Sequence, residues 1–520
     1  MNDNFSASLQ LSKPIVRSNR GVVAAQHRRA AEIGARILAR GGDAVDAAIA
    51  TSFALGVLEP WMSGLGGGGA MVLYRAAERR YRVIDFGMRA PAALSRADFP
   101  LSGRGKAGDL FPWAHVVGDR NVHGALAVAV PGQVDGMRLA FEAYARLPWA
   151  ELLAPAIACA DDGLLIDWYA TESISSAAAD LARYAASRAL FLRDGLPPVA
   201  AWSARTEVRL PQTALAQSLR HLAQHGARDF YEGELARRWL GELDAAGAKL
   251  AASDLAAYRA RATDPALADY RGARVAVTPE LTGGPTLLRC LSLLRDTLQS
   301  AARPDATVFA AYARALQQAY SERLQLMGDI DGARAPACTS HFCVVDAAGN
   351  VAAVTQTLLS IFGSRLTLGD TGFVLNNGIM CFDPEADRPN SLAPGKRCLT
   401  NYCPVVFEMG ERRVALGASG GRRILPAVLQ LLSFCVDFGM SLEQAFHAPR
   451  IDASEGDLLI GDVGLDAATH DLLAREFDYV RARRFALPLK FACPSAAEWQ
   501  TGAIFAATEI GSPWADAAAA

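Results

Sequence analysis

Two short apolar runs separated by a turn form the clearest pattern in the chain. Residues 340–345 read SHFCVV and residues 351–357 read VAAVTQT, with DAAGN between them. β-Branched and apolar residues favour strands, and the Asp and Gly-Asn of the connector favour a turn. We therefore predict a β-hairpin, with Thr339, Ser340 and His341 at the start of its first strand.

The N-terminal region has a helical pattern. Residues 22–58 are predicted as two helices, because Ile33 and Ile37 stand four positions apart and a Gly-Gly pair then interrupts the pattern. Asp43 follows the interruption, and Asp is a favourable N-cap residue. The second helix is therefore expected to begin directly after Asp43.

Two glycine-rich stretches precede apolar runs. Residues 64–69 hold five glycines in six positions and lead into the apolar run 70–74, which predicts a close backbone approach followed by a buried strand. Gly420 and Gly421 stand directly before RRILPAVLQLL, which predicts a helix.

The rest of the chain mixes both element types. Residues 152–323 are mostly helical in pattern, with one strand-like stretch at 273–280, and residues 340–424 are rich in strands. No fixed-period repeat indicates a solenoid or propeller. Strands and helices in this mixed order predict an α/β or α+β layered fold.

Composition excludes several classes of partner. The 520 residues are 51% hydrophobic, and 52 basic residues nearly balance 54 acidic ones, which gives no reason to expect a nucleic-acid partner. No apolar run approaches the length of a membrane span or forms a secretory signal, so we expect no membrane partner and a cytoplasmic location. Nine cysteines without CxxC pairs indicate reduced thiols.

The start of the hairpin carries a possible nucleophile. A threonine hydroxyl needs a base, and a threonine at a chain N-terminus can use its own α-amine, whose ordinary pKa is about 7.7–8.0. Thr339 can reach that state if its hydroxyl attacks the carbonyl carbon of Cys338, which would divide the chain into 1–338 and 339–520. Thr357 on the returning strand is expected to lie across from Thr339 and orient its hydroxyl. Gly420 and Gly421 can offer backbone N–H groups to an oxyanion.

Several longer motifs carry a family resemblance. The C-terminal part contains, in this order, CTSHFCVVDAAGNVAAVTQT, VLNNGIMCF, PGKRCLTNYCP, LGASGGRRI and EQAFHAPRI. The N-terminal part contains GGDAVDAAIATSFALGVLEPWMSGLGGGGAMVLY, VIDFGMRAP and AVPGQVDG. Together they span nearly the whole chain and resemble the motifs of the small and large subunits of γ-glutamyltransferases.

The resemblance implies an α+β, four-layer αββα fold of the N-terminal-nucleophile hydrolase type. It implies a proenzyme that cleaves itself into two intertwined subunits, 1–338 and 339–520, with no cofactor and no metal. Thr339 matches the nucleophile and Thr357 its supporting threonine, while Gly420 and Gly421 match the oxyanion-hole glycines. Association of two such heterodimers is left open.

The departures from the family lie at the positions that hold the glutamyl head group. Where the family places a carboxylate-binding arginine after DF, this chain has Gly87, and the nearest arginine is Arg89. A serine pair is replaced by Thr400 and Asn401. On the side expected to bind the substrate amine, Gly378 and Cys381 replace a glutamine and an aspartate of the family. Leu359 replaces an asparagine.

These replacements favour a different acyl group. An arginine clamp recognises a carboxylate, and an aspartate is the natural partner of an ammonium. We therefore predict an amidohydrolase or acyltransferase acting on the amide of a small or anionic acyl group, oxamate-like or glutaryl-like. The candidate substrate-binding residues are Arg89, Thr400, Asn401, Gly378 and Cys381.

Other interpretations remain. The first is a true γ-glutamyltransferase or glutathione hydrolase. The second is a metal-binding protein that uses Cys338, His341 and Cys343, which strand alternation disfavours because Cys338 would face away from the other two. The third is a non-enzymatic scaffold. His341 is expected to support the strand rather than act as a base, and Asn376 and Asn377 are expected to hold a loop backbone.

Overall fold

Two antiparallel sheets of seven strands each form the centre of the protein. They are seen in a computed structural model that describes residues 6, 8–107, 111–298, 302–327, 337–485 and 490–520. A third sheet of three strands and two sheets of two short strands each complete the strand structure of these residues. This mixture of sheets and helices confirms the predicted α+β class.

The strands follow the chain with these bounds: β1 Val16–Ser18, β2 Gly21–Ala25, β3 Gly68–Arg75, β4 Arg80–Phe86, β5 Leu101–Lys106, β6 Ala114–Val116, β7 Leu164–Leu165, β8 Arg209–Leu210, β9 Arg261–Thr263, β10 Ala266–Tyr270, β11 Ala273–Val277, β12 Ala337–Asp346, β13 Val351–Ser360, β14 Val405–Met409, β15 Arg412–Ser419, β16 Ile451–Glu455, β17 Leu458–Asp462, β18 Asp478–Ala482, β19 Cys493–Gln500, β20 Ala503–Thr508 and β21 Asp516–Ala519.

The helices have these bounds: α1 Arg28–Ala39, α2 Ala44–Leu58, α3 Gln133–Tyr144, α4 Trp149–Asp162, α5 Trp168–Ser175, α6 Ala178–Leu181, α7 Ala185–Phe191, α8 Thr213–His225, α9 Asp229–Glu232, α10 Glu234–Ala245, α11 Ala252–Ala257, α12 Gly284–Thr297, α13 Ala306–Met327, α14 Ile424–Asp437, α15 Leu442–His447 and α16 Ala467–Glu476. Within the described part of the chain, none of them is long and apolar enough to cross a membrane.

The two large sheets pack face to face. One has the strand order β1-β20-β19-β15-β14-β11-β10 and the other β21-β2-β12-β13-β3-β4-β9. Small and β-branched side chains from both sheets form the core between them, among them Ala276, Val345, Ala353, Ala415 and Ala497. Helices α1, α2, α3, α4, α8 and α10 cover the outer face of the second sheet, and α12, α13 and α14 cover that of the first.

The predicted hairpin is confirmed as β12 and β13. The two strands pair antiparallel, with Ser340 opposite Gln356, and the register shifts between Cys338 and Ser340. Strand β12 also pairs with β2, and β13 with β3, so the hairpin is central in its sheet. Both faces of β12 are buried: Phe342 belongs to the cluster under the helices and Cys343 to the core between the sheets.

The prediction of two helices over residues 22–58 is wrong at its start. Residues 22–25 belong to β2, where every residue is buried and where Ala25 pairs with Phe342. The alanine and valine content suits either element, and pairing with a strand more than 300 positions away decides it. The predicted interruption between two helices and the predicted N-cap at Asp43 are confirmed. Asp43 Oδ1 accepts the N–H of Val45 at 2.8 Å in a capping box at the start of α2.

The structure also contains strands that the sequence patterns did not predict. The helical stretch 152–323 holds β7, β8, β9 and β10 besides the predicted strand, which is β11. Strands β16 to β21 follow residue 424, and three of them form the separate sheet β16-β17-β18, in which β17 and β18 run parallel.

His341 ties the two sheets together next to the hairpin start. Its Nδ1 lies 2.9 Å from Thr355 Oγ1 and its Nε2 lies 3.1 Å from Cys343 Sγ. Gly417 of β15, in the facing sheet, lies directly against the ring: a Cβ at position 417 would stand 2.3 Å from His341 Cε1. The expected supporting role of His341 is confirmed by these contacts.

We expect Gly417→Ala to destabilise the protein by about 1–3 kcal/mol, because the new methyl group overlaps a ring held by two polar contacts. Gly241→Ala is the matched control, since a Cβ there meets no atom within 4 Å and Gly241 lies inside α10, where alanine is favoured by about 0.5–1 kcal/mol. Urea denaturation measures both changes. Equal stabilities for the two variants would contradict this close contact.

Candidate active site

The hydroxyl groups of Thr339 and Thr357 meet at the start of the hairpin. Thr339 Oγ1 donates to Thr357 Oγ1 over 3.4 Å, and the Thr357 hydroxyl also accepts the N–H of Leu359 at 2.8 Å. Both threonines are buried. The predicted proximity of the two hydroxyl groups is confirmed.

A left-handed backbone accompanies the register shift beside the nucleophile. Leu359 pairs with Cys338 across the hairpin and has a φ of +83°, a region in which leucine is rare. Residues 328–336, which precede the predicted cleavage position, and the side chain of Cys338 lie outside the described residues. The predicted bond between Cys338 and Thr339 therefore falls at the start of β12, within the hairpin's shifted register.

A pocket opens beside Thr339. It encloses about 270 Å³ of empty space, counted with its opening to solvent, and is lined by Phe111, Thr339, Leu359, Thr400, Asn401, Tyr402, Gly421 and Ile424. None of these lining side chains carries a charge. The lining is therefore apolar on one side and hydroxyl- and amide-bearing on the other.

The Gly-Gly pair lies where β15 ends and α14 begins. Gly420 and Gly421 have φ angles of +128° and +58°, which glycine adopts readily because it has no Cβ. Gly421 opens a short 3₁₀ turn that leads into α14, as predicted, and it lines the same pocket as Thr339. The positive end of a helix favours a negative charge, so this position suits an oxyanion.

Thr400 and Asn401 both line the pocket, and a buried arginine fixes their backbone. Arg323 of α13 donates through Nη2 to the carbonyl of Thr400 at 2.6 Å and through Nη1 to that of Thr282 at 2.6 Å. Burial lowers the pKa of Arg323 to about 10, so it stays charged at neutral pH. Sequence patterns gave no sign of it, because its partners are backbone carbonyls from distant segments.

The other three candidate substrate-binding residues lie outside the pocket lining. The guanidinium of Arg89 lies over the ring of Tyr258, 5.7 Å from its centroid. Gly378 and Cys381 lie in a buried 3₁₀ turn, where Cys381 belongs to the apolar cluster that also contains Leu359 and Tyr402. The structure therefore brings together Thr339, Thr357, Gly421, Thr400 and Asn401, but not these three.

Asn376 and Asn377 hold a loop backbone, as expected. Asn376 Nδ2 donates to the carbonyls of Gly66 at 2.7 Å and Ala129 at 2.9 Å. Asn377 Oδ1 accepts the N–H of Ser360 at 3.1 Å. These bonds fix the chain directly after the catalytic hairpin.

Two further polar groups near the pocket escaped sequence analysis. The Tyr402 hydroxyl is buried and has no hydrogen-bond partner in the part of the chain that the structure describes. Glu59 is buried, and this burial raises its pKa to about 8. A single acidic residue at the end of the apolar run GVLEPW was the only signal for Glu59.

The described residues do not support the metal-binding interpretation. Burial lowers the pKa of His341 to about 3, so its ring is neutral, and its two nitrogens already contact Thr355 and Cys343. Across the described ranges, no three His, Cys, Asp or Glu side chains are grouped as metal ligands.

The family model described as Gamma-glutamyltranspeptidase matches residues 30–338 and 333–480. The chain belongs to the gamma-glutamyltranspeptidase family. It is 33% identical to the Acylase ACY 1 proenzyme of Pseudomonas sp. (strain SE83), over 92% of this chain and 91% of that protein. It is 29% identical to the Glutathione hydrolase proenzyme of Escherichia coli (strain K12), over 84% of this chain and 81% of that protein.

A solved structure shares the fold of this chain. The fold superposes on the cephalosporin acylase from Bacillus halodurans with a TM-score of 0.85, covering 100% of this chain and 99% of that one at 22% identity. Through its family the protein is an enzyme, an amidohydrolase of the gamma-glutamyltranspeptidase family.

We expect Thr357→Val to slow chemistry at Thr339 by about 100-fold, because the variant removes the oxygen that positions the Thr339 hydroxyl while keeping the side-chain shape. Thr357→Ser retains the hydroxyl and should keep most of the rate. The measurement is self-cleavage at residue 339, followed by gel densitometry over time. A valine variant as fast as the serine variant would exclude a positioning role for this hydroxyl.

Proposed function

We propose that the protein is a self-processing amidohydrolase in which Thr339, freed as an N-terminal residue, hydrolyses the amide of an acyl group that lacks an α-amino acid head group. The observation that carries this proposal is the pocket that joins Thr339 and Gly421, in which none of the described lining residues carries a charge. The acyl group is small or of the oxamate or glutaryl type.

The processing step needs no external group except water. The hydroxyl oxygen of Thr339 attacks the carbonyl carbon of Cys338, the C–N bond breaks, and the hydroxyl proton passes to the Thr339 nitrogen. The resulting ester links Cys338 to the Thr339 oxygen until water cleaves it, leaving a carboxylate on Cys338 and a free amine on Thr339. The contact of Thr339 with Thr357 supports the orientation that this attack requires.

Hydrolysis of a substrate amide would then use the hydroxyl and the nitrogen of Thr339 again. The free α-amine of Thr339 takes the proton of its own hydroxyl as the oxygen attacks the substrate amide carbon, and gives a proton to the leaving amine. The backbone N–H groups of Gly420 and Gly421 stabilise the oxyanion. Water attacks the acyl-threonine ester and releases the carboxylic acid.

The sheet pairing supports two intertwined subunits, 1–338 and 339–520. Strand β12 pairs with β2, and β13 pairs with β3, so the C-terminal fragment would lie between strands of the N-terminal one. Two facing sheets with helices on their outer faces agree with the four-layer αββα arrangement of N-terminal-nucleophile hydrolases.

The acyl pocket is poorly suited to a glutamyl head group. A free ammonium in a desolvated pocket needs a negative partner, and the lining residues that the structure describes supply none. Leu359 and Cys381 take the positions of polar family residues and belong to one apolar cluster with Phe111 and Trp113. The similarity to a protein named an acylase supports the same substrate class.

We expect purified protein to separate into two fragments, one of which begins at Thr339, and expect Thr339→Ala to remain one chain. Thr339→Ser is the control, because serine keeps a hydroxyl nucleophile and should still cleave, more slowly. Intact-mass spectrometry with N-terminal sequencing distinguishes the products. Uncut wild-type protein after long incubation would contradict the proposed function.

We expect Leu359→Asn to raise the rate ratio of γ-glutamyl over glutaryl amides by about tenfold, because an amide group can contact an ammonium that leucine excludes. Asparagine also tolerates the φ of +83° at this position. Leu359→Ala enlarges the pocket without a polar group and should leave the ratio near the wild-type value. If wild type prefers γ-glutamyl amides, the glutathione hydrolase alternative is correct.

A further inference from the structure

Buried polar side chains form a hydrogen-bonded network on the helix-covered face of the catalytic hairpin. Its members are Ser52 of α2, Ser63, Gln133 of α3, Ser340 of β12 and Gln356 of β13. All of them are at most 2% exposed. Polar groups in an apolar core are costly unless they are hydrogen-bonded. The proposed reaction assigns no role to this network.

The amide of Gln356 is the centre of the network, and a backbone group fixes its orientation. Gln356 Nε2 donates to the carbonyl of Ser52 at 3.1 Å and to Ser63 Oγ at 2.9 Å. A carbonyl oxygen can only accept, so the nitrogen of the amide must be the atom that faces Ser52 and Ser63. The amide oxygen, Oε1, accepts from Ser52 Oγ and from Gln133 Nε2, both at 2.7 Å. The amide therefore uses both of its donor hydrogens and both of its acceptor positions.

The orientation of this amide sets the direction of the next hydrogen bond. The Ser63 hydroxyl accepts from Gln356, so its own proton is directed onward, and Ser63 Oγ donates to Ser340 Oγ at 3.1 Å. Ser63 is itself held beside β13, because the carbonyl of Met62 accepts the N–H of Leu358 at 3.0 Å. Ser340 is therefore tied through Ser63 to the loop that joins α2 to β3.

The backbone ladder is weakest where this tie is made. The register of the hairpin shifts between Cys338 and Ser340, so that Thr339 lies opposite two residues of β13. A bulge of this kind interrupts the ladder of hydrogen bonds. On the other edge, the described pairing of β2 with β12 begins at Phe342 and does not include Ser340. A side-chain bond at Ser340 therefore supports a part of β12 that the sheet holds less firmly than the rest.

We propose that Ser63 is a positioning residue for Thr339. Its hydroxyl, directed by the Gln356 amide, holds Ser340 and thereby fixes the bulge where the Thr339 hydroxyl reaches the carbonyl carbon of residue 338. This inference rests on the proposed self-processing function. The network acts from behind the nucleophile, since none of its members is among the described residues that line the pocket beside Thr339.

The test compares self-cleavage of Ser63→Ala and Ser52→Ala with wild type, using precursor made by brief cell-free translation. Ser63→Ala removes the bond to Ser340 and should cleave about tenfold more slowly. Ser52→Ala keeps the backbone carbonyl and the Gln133 bond that orient the Gln356 amide, so it should cleave at nearly the wild-type rate. Each variant loses one buried hydroxyl, so in a Thr339→Ala background, where the chain stays whole, both should lower the melting temperature similarly. Equal cleavage rates for the two variants would overturn the role of Ser63.

A double-mutant cycle separates positioning from general destabilisation. Because Ser63 is proposed to act through Ser340, its hydroxyl should have no further effect once the Ser340 hydroxyl is removed. Ser340→Ala and the double variant Ser63→Ala/Ser340→Ala should therefore cleave at the same reduced rate. A double variant slowed by the product of the two single effects would overturn the proposal. Wild type that never cleaves overturns the proposed function as well, whereas a cleaving wild type with independent effects overturns only the role of Ser63.

Discussion

The burial of β12 on both faces and both edges is the constraint on which the rest of the structure depends. Phe342 points into the helix-covered core and Cys343 into the core between the sheets. Strand β13 lies along one edge, and β2 pairs with Phe342 to Asp346 on the other. A strand held in this way cannot shift without breaking hydrogen bonds on both sides. Thr339 therefore lies at the start of a strand whose second half is fixed on both edges.

Strand alternation divides two tasks between neighbouring residues. Thr339 faces the pocket with Gly421, and His341 follows on the same side against Gly417. Ser340 points the other way, where its hydroxyl accepts a hydrogen bond from Ser63. Thr339 and His341 thus share one face of this short segment, and Ser340 belongs to the other.

The sequence predicted those features that depend on neighbours along the chain. The hairpin, the cap at Asp43 and the glycines before α14 follow from local turn, capping and periodicity rules. Strand β2 escaped prediction because its identity depends on pairing with a distant strand. The pocket lining escaped it for the same reason, since Phe111 and Tyr402 join Thr339 only through the tertiary fold. The roles of Arg89 and Cys381 were inferred from matched positions alone.

In the proposed function, catalytic orientation and acyl selectivity meet at one residue, Leu359. The N–H of Leu359 donates to the Thr357 hydroxyl, which receives the Thr339 hydroxyl, while the Leu359 side chain lines the acyl pocket. Its left-handed backbone allows both contacts at once. A change of side chain there alters the pocket and also the strain in the backbone that orients the supporting hydroxyl. Selectivity at this position is consequently coupled to the rate of the chemical step, unlike selectivity at Thr400 or Asn401, whose loop is held separately by Arg323.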